Sequence, residues 1–163
     1  MIVIRDRLFA AVKKLETSPS GASPIAVSTD GVSWRKLSTP SYWASVKCLA
    51  EFGSELYVAV RPGRTGKFDL FASSDLVSWC PVDLSGVVLP EDLLVDDMAV
   101  LGDVLVLGLW NFQLGARFLI HRPDQGWFVI DAETLRESRR RFVKEHPAAI
   151  MANFDPPLPK PEL

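Results

Sequence analysis

The chain has 163 residues, with 18 Lys and Arg against 20 Asp and Glu, a formal net charge of −2, and 48% hydrophobic residues. That length is enough for one well-packed domain, and the slight acidity argues against nucleic-acid binding, which needs a basic footprint. Arg5, Asp6 and Arg7 follow a four-residue apolar start where a signal peptide would continue, and the longest apolar stretch is too short to cross a bilayer as a helix, so a cytoplasmic protein without a membrane partner is expected.

Residues 1–4 are apolar and predict a strand, and residues 5–7 turn the chain. Residues 8–12 predict a second strand, too apolar to be half exposed. Residues 13–23 hold Pro19, Gly21 and three serines and predict a loop. Residues 24–27 predict a third strand and residues 34–37 a fourth, joined through the turn at 28–34. The same order recurs, with strands predicted over 46–50, 56–60, 68–72 and 79–82. It recurs again over 98–101, 104–109, 116–120 and 126–130. In the connector between these two groups, Pro90 is followed by acids, which suits the first turn of a short helix. Residues 132–146 predict a helix, capped by Asp131 and stopped by Pro147. Glu133, Arg136, Glu137, Arg140 and Arg141 give it opposite-charge pairs at i,i+3 and i,i+4. Residues 155–163 contain four prolines and predict an extended tail.

The turn at 28–34 reads Ser-Thr-Asp-Gly-Val-Ser-Trp, and residues 73–79 read Ser-Ser-Asp-Leu-Val-Ser-Trp. A third, eroded copy keeps Asp124, Gly126 and Trp127. Four strands in each repeat of 40–50 residues point to a β-propeller. The pattern Ser-x-Asp-Gly-x-x-Trp after an apolar strand resembles the Asp-box of the sialidase-like, BNR-type propellers. Ser28, Asp30, Gly31 and Trp34 match it, as do Ser73, Asp75 and Trp79, with Leu76 where the glycine belongs. The resemblance implies that the aspartates accept backbone N–H bonds inside the turn and that the tryptophans bury their rings. It also implies that Ser28, Asp30, Trp34, Ser73, Asp75, Trp79, Asp124 and Trp127 are structural and lie away from any substrate.

The chain therefore divides into an all-β, three-bladed Asp-box unit over residues 1–131 and a helix with a proline-rich tail over 132–163. Propeller rings have four to eight blades. A homodimer completing a six-bladed ring, first blade against the partner's third, is the expected solution, and a different closing protein is the other. A β-trefoil, also three units of four strands, is the alternative fold.

Propeller ligands bind at the face carrying the second-to-third loops and the connectors between blades. Tyr42, Trp43, Arg61, Arg64, Trp110, Asn111 and Arg117 fall there, and aromatic and arginine side chains are common recognition anchors. Packing of Trp43 and Trp110 between blades is the competing reading. No catalytic residue, metal or cofactor site is nominated. Tyr57 has no assignable glutamate partner for sialidase chemistry, and no pair of carboxylates at glycosidase spacing stands out. His121 and His146 lack partners at metal-ligand spacing. The acidic run Glu91, Asp92, Asp96 and Asp97 reads as solvated loop charge, and the Arg136, Arg139, Arg140, Arg141 and Lys144 stripe as a solvated or interfacial helix face. Cys48 and Cys80 lie in the first and fourth strands of one repeat. Three strand spacings of about 4.8 Å hold them roughly 14 Å apart, beyond the reach of a disulfide, so two reduced core thiols are expected. The leading expectation is a non-enzymatic, self-associating module that recognises a protein partner, as an inhibitor, an immunity-like protein or an assembly subunit. Lectin-like glycan binding and a sialidase-like glycoside hydrolase are the alternatives.

Overall fold

The computed structural model describes residues 2–4, 6–11, 25–62, 67–89, 92–131, 133–134 and 136–137. Its strands are β1 (Ile2–Ile4), β2 (Arg7–Ala11), β3 (Ile25–Ser28), β4 (Arg35–Lys36), β5 (Trp43–Phe52), β6 (Glu55–Pro62), β7 (Asp69–Ser73), β8 (Cys80–Pro81), β9 (Asp92–Leu101), β10 (Val104–Asn111), β11 (Gly115–Arg122) and β12 (Gly126–Asp131). They form three four-stranded antiparallel sheets, β1 to β4, β5 to β8 and β9 to β12, each a simple meander. Strand pairing stays inside one repeat. A trefoil needs pairing between repeats, so that alternative is set aside and the architecture is propeller-like. The first strands bring the sheets together: β1 and β2 lie against β5, and β5 lies against β9.

Burial along the second strands shows how the sheets stack. Leu56, Tyr57, Val58, Ala59 and Val60 of β6 are all buried. Successive strand residues point to opposite faces, so the middle sheet is covered on both. Leu56, Val58 and Val60 pack with Phe9, Ile25 and Val27 of the first sheet. Tyr57 and Ala59 pack with Leu105, Leu107, Leu109 and Leu119 of the third. In β10 burial alternates, with Leu105, Leu107 and Leu109 inside and Val104, Val106 and Gly108 half-buried. In β2 only Phe9 is buried, while Leu8 and Ala10 are half-buried and Ala11 is exposed. The expectation that this strand is too apolar to be half exposed is therefore corrected. Its outer face meets no other sheet among the described residues.

Two further expectations give way. Residues 92–97 belong to the ten-residue strand β9, in place of a short helix and loop. Asp92 pairs with Asn111 across the sheet, and its carboxylate is buried, so it is not a solvated loop charge. Asp96 and Asp97 are exposed. The cysteines are free, but only Cys48 is half-buried, and Cys80 is exposed. Cys80 sits in β8, a two-residue edge strand whose side chains are both exposed. Burial, with smaller contributions from Asp97 and Asp96, pushes the Cys48 thiol up to about 12.

The repeated turns have matching hydrogen bonds. Asp30 Oδ1 accepts the N–H of Val32 at 2.8 Å and of Ser33 at 2.7 Å. Asp75 Oδ1 does the same for Val77 and Ser78. The Ser28 hydroxyl donates to Asp30 and accepts the Gly31 N–H at 2.9 Å; the Ser73 hydroxyl donates to Asp75 and accepts the Leu76 N–H. These bonds, led by the backbone N–H of Ser33 and of Ser78, hold both carboxyls far below the ordinary range, Asp75 at about 2. The turn needs a positive φ at its fourth residue. Gly31 supplies +75° without strain, whereas Leu76 adopts +62° against the preference of a residue with a Cβ. The third turn is closed through the backbone, Gln125 N–H to Arg122 C=O, with Gly126 at +73°.

The tryptophans diverge from the expectation of buried rings. Trp79 is half-buried, 5.2 Å from Trp43, and its Nε1 donates to the Ser38 carbonyl. Trp127 stacks on His121 at 4.6 Å. Trp34, in contrast, is 41% exposed, because it stands on the outer side of the first sheet.

At the C-terminal end, Asp131 accepts the Thr134 N–H at 2.7 Å. Glu133, Thr134, Arg136 and Glu137 have helical backbone. The rest of the helix expected over 132–146, His146 included, and the proline-rich tail lie outside the described residues.

Candidate functional site

The ends of β6, β10 and the starts of β5, β7, β9 and β11 gather at one end of the sheets. There the third sheet is locked by three buried polar side chains from different strands. The Asp92 carboxylate forms an ion pair with the Arg117 guanidinium. It also accepts Asn111 Nδ2 at 2.9 Å and, from the connector, the Leu89 N–H at 2.9 Å. Asn111 Oδ1 in turn accepts the N–H of Gln113 and of Leu114, an Asx-type closure of the β10–β11 turn. The connector, the inner strand and the hairpin are thereby tied together. Asp92 is 2% exposed and Arg117 7%, so the pair is shielded from water and its geometry is stiff. The hairpin that this lock holds carries exposed Trp110, Phe112 and Leu114.

Beside it, on the second sheet, is a cleft of about 400 Å3 lined by Tyr42, Phe68, Asp69, Leu70, Phe71, Pro81, Val82, Leu84, Ser85 and Val88. Phe68, Leu70 and Phe71 are buried and form its apolar floor. Tyr42 is 54% exposed, with its ring centroid 6.2 Å from that of Phe71. Asp69 and Ser85 are exposed and supply polar groups. The Ser85 hydroxyl and N–H hold the neighbouring Asp83 carboxyl below its ordinary range, which fixes the turn behind the cleft. The same connector contributes Leu84, Ser85 and Val88 to the cleft and Leu89 to the Asp92 lock.

The nominated face residues separate in the structure. Tyr42 lines the cleft and Trp110 tops the hairpin. Trp43 is 1% exposed, between Phe71 and Trp79 in the seam of the first two sheets. Asn111 and Arg117 belong to the buried lock. Arg61 is half-buried, and Arg64 lies outside the described residues. Asp69, Phe68 and Asp92 were not nominated. Asp92 answers to partners 19 and 25 residues away, a relation that no local spacing reveals. His121 is an aromatic seam residue, packed by Phe52, Tyr57 and Trp127. Among the described residues no group of three His, Cys, Asp or Glu is placed to hold a metal ion, and no helix is long and apolar enough to cross a membrane.

No protein-family model matches the chain. No curated protein matches it either. Among solved structures it is similar to a mutant of the Bombyx mori GH32 β-fructofuranosidase BmSUC1 in complex with sucrose, at 16% identity and a TM-score of 0.42. It is also similar to a second structure of that enzyme, at 16% identity and a TM-score of 0.41. Each likeness covers 66% of this chain and 27% of the enzyme, so the chain spans about a quarter of the length of these neighbours. The expectation of a non-enzymatic module that recognises a protein partner is corrected. The structural neighbours are glycoside hydrolases, and Trp43, Asn111 and Arg117, nominated as partner contacts, face inward.

Proposed function

We propose that the chain recognises carbohydrate through the cleft at the strand ends of its second sheet. The observation that carries this reading is the cleft's composition: a half-exposed tyrosine above a phenylalanine floor, with one carboxylate and one hydroxyl at the margin. A sugar ring offers an apolar C–H face and a rim of hydroxyls. The first stacks on Tyr42, and the second bonds Asp69 and Ser85. The volume falls in the range of small-molecule pockets, about 300–1,000 Å3. Asp69 is the carboxylate among the described lining residues, and it supplies the charged acceptor for the sugar hydroxyls. The hydrogen-bonded turns at Asp30 and Asp75 support the further reading of these sheets as Asp-box blades.

Glycan-array screening followed by calorimetry tests the proposal. A saccharide should be retained, and Tyr42→Ala and Asp69→Asn should each abolish retention with the melting temperature unchanged. Retention by both variants would remove the cleft from consideration. Release of fluorophore from aryl glycosides, measured in parallel, shows whether recognition at the cleft leads to bond cleavage.

A further inference from the structure

The seam between the first two sheets and the seam between the second and third end differently beside the repeated turns. By the strand register, Arg7, Phe9 and Ser73 of the first seam are the counterparts of Glu55, Tyr57 and His121 of the second. In the second seam the His121 ring stacks on Trp127 at 4.6 Å and stands 5.5 Å from Phe52 and 6.3 Å from Tyr57. The Tyr57 hydroxyl donates to Glu55 at 3.0 Å. A ring occupies that place, and its acid is engaged. In the first seam a serine replaces the imidazole, a phenylalanine removes the hydroxyl, and an arginine reverses the charge. The Ser73 hydroxyl is turned to Asp75 and to the Leu76 N–H. A cleft of about 270 Å3 opens there.

Buried Phe9 and Leu56 and half-buried Leu76 give this cleft an apolar wall. Leu76 is the residue held at φ +62° where the matching turn has Gly31. Backbone kept against its preference gathers at ligand sites, and here it sets a leucine side chain on the cleft wall. Arg7, Ser54 and Ser74 are exposed on the rim. Among the described residues no side-chain hydrogen bond or ion pair holds any of the three. Glu51 and Asp75 share the rim with them. The N–H groups of Ser78 and Val77 keep the Asp75 carboxyl ionised.

An apolar cavity of about 150 Å3 holds a benzene molecule, so this cleft has room for one ring and its charged substituents. An anion alone would meet Glu51 and Asp75, and a cation alone would meet Arg7. A ligand that carries both charges satisfies the whole rim. We infer that the cleft binds a free aromatic α-amino acid. Its ring takes the place that His121 fills in the second seam, against Phe9, Leu56 and Leu76. Its carboxylate pairs with the Arg7 guanidinium, whose planar fork suits that group. Its ammonium lies by Asp75 and Glu51. This cleft is at the Ser73 end of β7 and the Tyr42 cleft at the Asp69 end, and they share no lining residue. The two proposals therefore fail separately.

The test is an amide NMR titration of the full chain with L-phenylalanine. The amide resonances of Ser54, Ser74 and Leu76 should shift and saturate, while those of Asp69 and Ser85 stay in place. Arg7→Gln, at an exposed site, should weaken binding about tenfold or more, the loss of a charge-assisted pair, with the melting temperature unchanged. N-acetyl-L-phenylalanine and L-phenylalaninamide each lack one of the two charges, and L-alanine lacks the ring. All three should bind at least about tenfold more weakly. Tyr42→Ala should bind L-phenylalanine as the unaltered chain does. Absence of saturable shifts at millimolar L-phenylalanine would overturn the inference. So would full binding by Arg7→Gln, or equal binding of L-alanine. Equal binding of a blocked derivative would point to a peptide end and overturn the free amino acid, and loss of binding in Tyr42→Ala would move the site to the other cleft.

Discussion

Replacing Arg117 by alanine should destabilise the fold severely while leaving its outline intact. The substitution leaves the Asp92 carboxylate, 2% exposed, without its counter-charge. Removing one member of a buried ion pair costs about 3–5 kcal/mol, because the surviving charge stays desolvated. Asp92 keeps two partners, Asn111 Nδ2 and the Leu89 N–H, both at 2.9 Å. Those bonds to the charged form hold the cost near the lower end, about 3 kcal/mol. Total stabilities of about 5–15 kcal/mol are usual, so a large share is removed, and the melting temperature should fall by roughly 10 °C. Asp92→Ala should cost at least as much, since it strands Arg117, Asn111 and the Leu89 N–H together. The double variant should be milder than the sum of the two, by about 2 kcal/mol, because neither charge is then left alone. Urea unfolding followed by tryptophan fluorescence gives all three values. A cost below about 1 kcal/mol for Arg117→Ala, or strict additivity in the double variant, would refute the role assigned to this pair.

Three other outcomes follow from the turns and thiols. The Asp30 and Asp75 carboxyls are held below their unfolded range, so their stabilisation is complete above about pH 4 and is lost as pH falls through the folded values, about 2 for Asp75. The urea midpoint should therefore drop between pH 4 and pH 2, and an Asp30→Asn, Asp75→Asn variant should show a flatter profile across that window. Gly31→Ala should cost about 1 kcal/mol by thermal melting: φ is +75°, and the new Cβ would stand 3.3 Å from Leu8 Cδ1. A thiol-specific dye should label exposed Cys80 rapidly in the folded protein and half-buried Cys48, whose thiol is pushed up to about 12, only on unfolding. Equal rates would contradict that burial.

What could be read in the residues was whatever repeats. The two Ser-x-Asp turns mark the same point in two meanders, and from them the twelve strands fall into three groups of four. The turn chemistry was also legible, because an aspartate two and three residues before the N–H groups it accepts is a local device. Burial was not legible. Residues 8–12 and 56–60 are equally apolar, yet among the described residues β6 meets a sheet on both faces and β2 on one. The difference lies in how many sheets flank each strand, which no window of sequence contains. Trp34 and Trp79 sit in nearly identical heptapeptides and differ in exposure for the same reason. The Asp92, Asn111 and Arg117 lock escaped because its members come from three strands, and the proline and acids before β9 imitate a helix start.

The unequal covering of the sheets also has a consequence for how the molecule opens. In a stack where each unit touches only its neighbours, stability is the intrinsic term of each unit plus the seams it shares. Among the described residues the middle sheet shares two seams and each end sheet shares one. Local opening should therefore begin at the ends, through sub-global units that leave β5, β6 and β7 intact. Amide protons of Val58, Ala59 and Val60 should then exchange only through global unfolding, while those of β2 and β12 exchange through cheaper excursions. The centre of the chain, and neither terminus, sets how long the folded state survives.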